Sequence, residues 1–210
     1  MRVDVARSCP MLLEVTEHPA DSACRPSRFS ASAAVERRAS LEAFVAERFE
    51  KAYGAQAVHY CRHLVGIERA DGGWCAAVGY AAARDGPLYL EHYLDEPVEL
   101  AIFRREGISI AREGIVEVGN LAATSPGAGR AVVRAMAARL HGAGFTWVAF
   151  TATRELRNTF ARLGLALHAL APADPARVPG HGAGWGDYYA HDPVVVFGRI
   201  GEALGRKVTA

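Results

Sequence analysis

The chain has 210 residues, half of them apolar and 22% charged, enough for one sizeable hydrophobic core. Its 24 Lys and Arg against 23 Asp and Glu leave a formal net charge of +1, which excludes the broad positive field that nucleic acid or an anionic membrane attracts. Four unpatterned cysteines (Cys9, Cys24, Cys61, Cys75), no window apolar enough to span a bilayer and no secretory h-region predict a cytoplasmic protein without a disulfide framework or structural zinc site.

Residues 1–31 are turn-rich, with Pro10, Pro19 and Pro26 among serines, and read as a poorly ordered lead-in with one short strand near Met11–Val15. Residues 32–210 read as a single domain. A helix beginning at Ser32 or Ser40 carries Leu41, Phe44, Val45, Phe49 and Ala52 at helical spacing and stops at Tyr53-Gly54. Strands are expected over Ala57–Glu68 and Trp74–Arg84, joined at Asp71-Gly72, then over Pro87–Glu91. A helix follows from Pro97 to Arg105. The second half alternates: strand Ile115–Ala123, loop Thr124–Gly129, helix Arg130–Ala143, strand Phe145–Thr151, helix Arg154–Leu163, strand Leu165–Leu170. Residues 171–210 read as loop-rich with a final helix over Pro193–Leu204. The fold class is therefore α/β: a mixed sheet, antiparallel in its N-terminal strands, with a parallel crossover in the second half and helices on both faces.

Glu117 lies inside the apolar run Ile115–Ala123, where a charge is costly unless it is paired, hydrogen-bonded or neutralised. Its pKa is expected to be perturbed, which makes it a candidate general base or amine-binding group; a structural ion pair with Arg112 or Arg154 is the alternative. Asn120, three residues on, can both donate and accept. Glu91, at the end of the strand expected over 87–91, is a second carboxylate that could position an amine, or else part of a solvated acidic turn. Gly127, Ala128, Gly129 and Arg130 open the helix after Ser125-Pro126, where a helix N-terminus and a cation suit a phosphate, although such turns also simply join strands to helices. His59, Cys61 and His63 would share a strand face, but a metal site is not predicted from them. Trp185, Tyr188 and Tyr189 either cap an apolar tunnel or pack the last helix.

The segment around Thr124-Ser125-Pro126-Gly127-Ala128-Gly129 resembles the core of the GNAT N-acyltransferases, with Thr124 in place of the leading Gln/Arg of their loop and Phe160 at the position of their tyrosine acid. That resemblance implies a splayed strand whose backbone near Leu121 and Ala123 binds a pantetheine arm, with Gly127, Ala128, Gly129 and Arg130 at the pyrophosphate. Ile115–Ala123 is also similar to the corresponding strand of the autoinducer (acyl-homoserine-lactone) synthases, with Asn120 where their Arg stands.

Wider stretches resemble the thermostable hemolysin family: Ala52-Tyr53-Gly54-Ala55, Leu90-Glu91-His92-Tyr93-Leu94-Asp95-Glu96-Pro97, Glu117–Ala122, Phe150–Thr153, Asn158-Thr159-Phe160 and Tyr188–Pro193. Together these resemblances imply an enzyme that moves a fatty acyl group from an acyl carrier protein or CoA thioester to an amine or amino acid, without a tightly bound cofactor or metal. Glu117 would be the base, Asn120 and Glu91 its companions. The alternatives are a membrane-active protein, as the family name implies, and a non-catalytic module that binds an acyl carrier.

Overall fold

The computed structural model describes residues 29–31, 35–56 and 58–205; the strand expected near Met11–Val15 lies outside them. Strand β1 (Phe29–Ala31) is followed by helix α1 (Val35–Tyr53), whose Leu41, Val45, Phe49 and Tyr53 recur every fourth residue and form its buried stripe. Gly54, at φ 65°, ends the helix by returning its N–H to the Glu50 carbonyl at 2.7 Å.

Strands β2 (His63–Glu68) and β3 (Trp74–Ala82) form the expected hairpin, in which Asp71 Oδ1 accepts the Gly73 N–H at 3.0 Å. The first strand begins at His63 and not at Ala57, because side chains take the backbone groups that a ladder needs. Asn120 accepts from the Cys61 N–H and donates to the His59 carbonyl, while Arg38 donates to the Cys61 and Arg62 carbonyls.

The strand expected over Pro87–Glu91 is instead a 3-10 turn, Tyr89–Tyr93. Its free N–H groups go to carboxylates: Leu88 to Glu91, and Tyr89 and Leu90 to Glu117. Helix α2 (Val98–Glu106) follows, then strand β4 (Ile115–Ala123). Helix α3 (Pro126–Gly142) starts four residues earlier than expected, because Ser125 caps it and Pro126 supplies a preset φ at its first position. Strand β5 (Trp147–Ala152), helix α4 (Arg154–Arg162, capped by Thr153) and strand β6 (His168–Pro172) continue the chain.

The helix expected over Pro193–Leu204 is mostly strand β7 (Val194–Arg199), with only Ile200–Ala203 helical as α5. Val194, Val195, Val196 and Phe197 are β-branched or aromatic, and both edges of the strand are hydrogen-bonded, to β5 and to β6.

The seven strands run in the order β1-β2-β3-β4-β5-β7-β6, all antiparallel except β4 and β5, which α3 connects as the expected parallel crossover. One face packs on α1, where Leu41 and Val45 meet Leu64 and Ala77; the other packs on α3, where Val132 and Met136 meet Val65, Val78 and Val116. A third cluster joins α2 and the 3-10 turn to Ile115, Trp147 and Phe197. Cys75, fully buried, is disulfide-bonded, against the expectation of no disulfide. Among the described residues no helix is long and apolar enough to cross a membrane.

The loop after β6 is sealed to α1 through its backbone. Asp187 N–H donates to the Tyr53 carbonyl at 2.9 Å, and Gln56 N–H to the Gly184 carbonyl at 2.7 Å. Gly186 is needed at this seam: its φ is 57°, and a Cβ there would lie 1.9 Å from the Tyr53 carbonyl oxygen.

Candidate active site

The two parallel strands pair at Ile115↔Trp147, Val116↔Val148 and Glu117↔Ala149 and then part; β4 continues on β3, and β5 on β7. The parting is built into β4. Asn120 has φ 52°, and the register against β3 slips between Ala77 and Gly79, so the strand carries a bulge just past Glu117. The Asn120 side chain, 8% exposed, holds the bulge by its two bonds to His59 and Cys61, at 2.7 and 2.8 Å. Close approach on this face requires small residues opposite: a Cβ on Gly79 would stand 2.8 Å from Asn120 Oδ1.

A cavity of about 190 Å³ occupies the fork and passes between the two faces of the sheet. On the α1 side its wall is aromatic and polar, with Phe49, Tyr53, His59, Tyr89, Trp185 and Glu117. On the α3 side it is apolar, with Leu121, Val133, Met136, Leu140, Phe150 and Phe160. Phe150 and Phe160 meet edge-on with centroids 5.5 Å apart.

Glu117 is 6% exposed and its carboxylate accepts two backbone N–H groups, Tyr89 at 2.7 Å on Oε2 and Leu90 at 3.1 Å on Oε1. Among the described residues it forms no ion pair: Arg112 is engaged with Glu91 and Glu99, and Arg154 with Asp192. Burial pushes its pKa up to about 7, beyond what the two N–H groups restore, with the nearby Glu91 charge adding to the rise. A carboxylate that exchanges its proton near neutrality, held rigidly on a cavity wall, has the properties of a general base.

Around it, His59 stacks on Tyr89 with ring centroids 4.1 Å apart, and burial, helped by His92, lowers its pKa and favours the neutral ring. Burial also raises the Tyr89 hydroxyl to about 12 and the Cys61 thiol still further, so both stay protonated at neutral pH.

Glu91 stands behind the cavity wall and not on it. Its carboxylate takes the Arg112 guanidinium at 2.7 and 3.0 Å and the N–H groups of Leu88 and Val98 at 2.8 Å each. Burial alone would raise its pKa, but Arg112 and the two N–H groups outweigh that and hold it below the ordinary value. Glu91 therefore fixes the turn whose N–H groups bind Glu117.

Leu121 lines the cavity, whereas Ala123 pairs with Ala76 and is buried against α3. Gly127, Ala128 and Gly129 belong to the first turn of α3 and not to a loop. Pro126 has no N–H, that of Ala128 goes to Ser125 Oγ at 3.2 Å, and that of Gly129 to the Ser125 carbonyl at 3.0 Å. Arg130 is exposed.

His63 does not join His59: it stacks on Tyr80 at 4.8 Å in a separate depression beside Arg139. Among the described residues no three His, Cys, Asp or Glu side chains cluster as a metal site would require. Sequence reading missed Tyr53 and Glu155, both on the cavity wall. Tyr53 reads as the last residue of an amphipathic helix and Glu155 as an acid in a helical first turn, and neither pattern signals a cavity.

The model of the thermostable hemolysin family matches residues 31–204. Among solved structures, the chain is similar to the AHL synthase LasI (11% identity, TM-score 0.57, covering 87% of this chain and 96% of that one). FeeM, an N-acyl amino acid synthase from uncultured soil microbes, aligns at 13% identity and TM-score 0.56, over 86% and 95% of the two chains. TofI aligns at 13% identity and TM-score 0.55, over 86% and 97%. At these identities the likeness is one of fold, the GNAT-like mixed sheet. A search of curated proteins gives no match.

Proposed function

The chain belongs to the thermostable hemolysin family, and starting from that membership we propose that it is an N-acyltransferase, moving a fatty acyl group from a pantetheine thioester of acyl carrier protein or CoA to the amine of a small acceptor. The observation that carries this reading is Glu117, a nine-tenths buried carboxylate with a pKa near 7 on the wall of a cavity that is polar on one side of the sheet and apolar on the other. The polar side suits an amine and the apolar side an acyl chain. LasI and FeeM, with the same fold, are an AHL synthase and an N-acyl amino acid synthase, which places acyl transfer to an amine within the chemistry this fold supports.

In this reading the thioester lies in the fork between β4 and β5, its acyl chain directed toward Met136 and Phe160. Backbone N–H groups at the Asn120–Leu121 bulge, turned out of the β3 ladder, stabilise the developing oxyanion. The amine nitrogen attacks the thioester carbonyl carbon. A C–N bond forms, the C–S bond breaks, Glu117 takes the proton the nitrogen loses, and the leaving thiolate takes up a proton, so the products are an amide and a free thiol. Asn120 positions the bulge, and Glu91 with Arg112 positions the turn that orients Glu117. For the carrier arm the reading uses Leu121 on the cavity wall, and for its phosphates the exposed Arg130 beside Gly127 at the start of α3; the N–H groups of Ala128 and Gly129 are already bonded to Ser125, and Ala123 is buried against α3.

Incubation of the purified protein with acyl-CoA and acyl carrier protein thioesters, each against a pool of amines and amino acids, followed by mass spectrometry, tests the reading. An N-acyl product that disappears with Glu117→Gln supports it and identifies donor and acceptor together. Absence of product from every donor and acceptor overturns it.

A further inference from the structure

Glu155 opens α4 and lies on the same cavity wall as Glu117. Its Oε2 is buried and, among the described residues, accepts no hydrogen bond. Its ion-pair contact is with His191, whose Nδ1 is 3.6 Å from Oε2, and that ring is shared: its Nε2 lies 3.8 Å from Asp187, and its face meets Tyr53 edge-on at 5.3 Å. The adjacent Arg154 is paired with Asp192, and Arg157 is spent on the carbonyls of Ala152 and Asp192. Glu155 thus puts on the cavity wall a carboxylate whose one ion-pair contact among the described residues is the His191 imidazole.

The wall beside it is aromatic. Phe49, Tyr53, Trp185 and Tyr188 pack against one another edge-on or tilted, with centroid separations of 5.2 to 6.2 Å. Aromatic faces next to a carboxylate attract ammonium groups and disfavour further carboxylates.

We propose that the acceptor is an aliphatic amine carrying a second cationic group, a diamine, with Glu155 and the Tyr53–Trp185–Tyr188 wall holding the distal ammonium while the other nitrogen meets Glu117. The inference rests on the acyl-transfer reading for the role of Glu117, but the binding it describes stands without it. An α- or ω-amino acid is disfavoured at this end, because its carboxylate would be placed against Glu155.

Three ligands of equal chain length separate these cases: hexylamine, hexane diamine and aminohexanoate. Calorimetric binding to the full chain, with no acyl donor present, is expected to favour the diamine over hexylamine by about tenfold or more, with aminohexanoate weakest. Glu155→Gln, isosteric and at a partly exposed position, should remove the advantage of the diamine and leave hexylamine binding unchanged, with an unaltered melting temperature as the folding control. Equal affinities for the three ligands, or a preference that survives Glu155→Gln, overturn the proposal. With an acyl donor, Glu155→Gln should raise KM for the diamine and spare kcat. Diamine binding without product from any donor removes the acyl-transfer reading alone. Product formed equally on all three acceptors removes the diamine assignment alone.

Discussion

Replacing Glu117 by Gln tests the electrostatics of the site separately from its chemistry. The native carboxyl titrates near 7 against an ordinary 4.5, because burial disfavours its charge. Between those values the folded protein holds a proton that the unfolded chain has released. Stability therefore falls as pH rises through this window, and the full cost is present above 7. At 1.36 kcal/mol per pH unit, that cost is about 3 kcal/mol. Gln carries no charge and escapes it. With one carbonyl for two N–H groups, however, Gln leaves either Tyr89 or Leu90 unpaired, at about 1–3 kcal/mol independent of pH. The variant is thus expected to be the less stable protein near pH 5 and to equal or exceed the native one near pH 8. Urea unfolding at the two pH values measures the change in the gap directly. A gap that moves by less than about 1 kcal/mol means that Glu117 is not desolvated as described. The catalytic counterpart is a limb of native kcat/KM that rises through pH 7 and levels off about one unit above it, a limb absent from any residual activity of the variant.

Asn120→Ala should cost about 2–4 kcal/mol, read by urea denaturation, because it unpairs the Cys61 N–H and the His59 carbonyl and puts Ala at φ 52°. Its kcat should fall as the bulge relaxes. Gly186→Ala should lower the melting temperature by several degrees, since its Cβ would overlap the Tyr53 carbonyl and detach the loop that carries Trp185. Arg112→Ala should destabilise by about 3 kcal/mol or more, leaving Glu91 as an unpaired carboxylate, and should depress kcat through the turn that holds Glu117. Met136→Trp, which fills the apolar side of the cavity, should shift the products toward shorter acyl chains, read by mass spectrometry of mixed-donor reactions.

Periodicity revealed α1, α3, α4 and the parallel β4-α3-β5 unit, because in each the spacing of apolar residues and the flanking caps agree. Glu117 was visible for the same reason in reverse, as a charge where the pattern of β4 calls for none. What could not be read from local pattern depends on distant partners. Residues 87–91 alternate like a strand, yet they turn because carboxylates from positions 91 and 117 take their N–H groups. Residues 58–62 leave the sheet because Asn120 and Arg38 occupy their backbone. Val194–Arg199 is strand because it has a neighbour on each side, which a reading of one segment at a time cannot reveal.

Two of these departures, at residues 58–62 and 87–91, share a location with the Asn120 bulge, and that explains why the cavity exists. Each removes backbone from regular pairing at the fork: the Asn120 bulge in β4, the irregular run beside it, and the turn above Glu117. A continuous β4–β5 ladder would bury Glu117 against its neighbour with no room for a ligand. The polar groups freed by opening the ladder are instead satisfied by a few side chains, Asn120, Glu117 and Glu91, each of which accepts or donates at least twice. The residues that hold the fork open are thus the same ones that place a near-neutral carboxylate beside it, so substituting any of them should perturb stability and turnover together. Glu155 stands outside this network, paired with none of its members, which is why its substitution is expected to change acceptor choice without changing the fold.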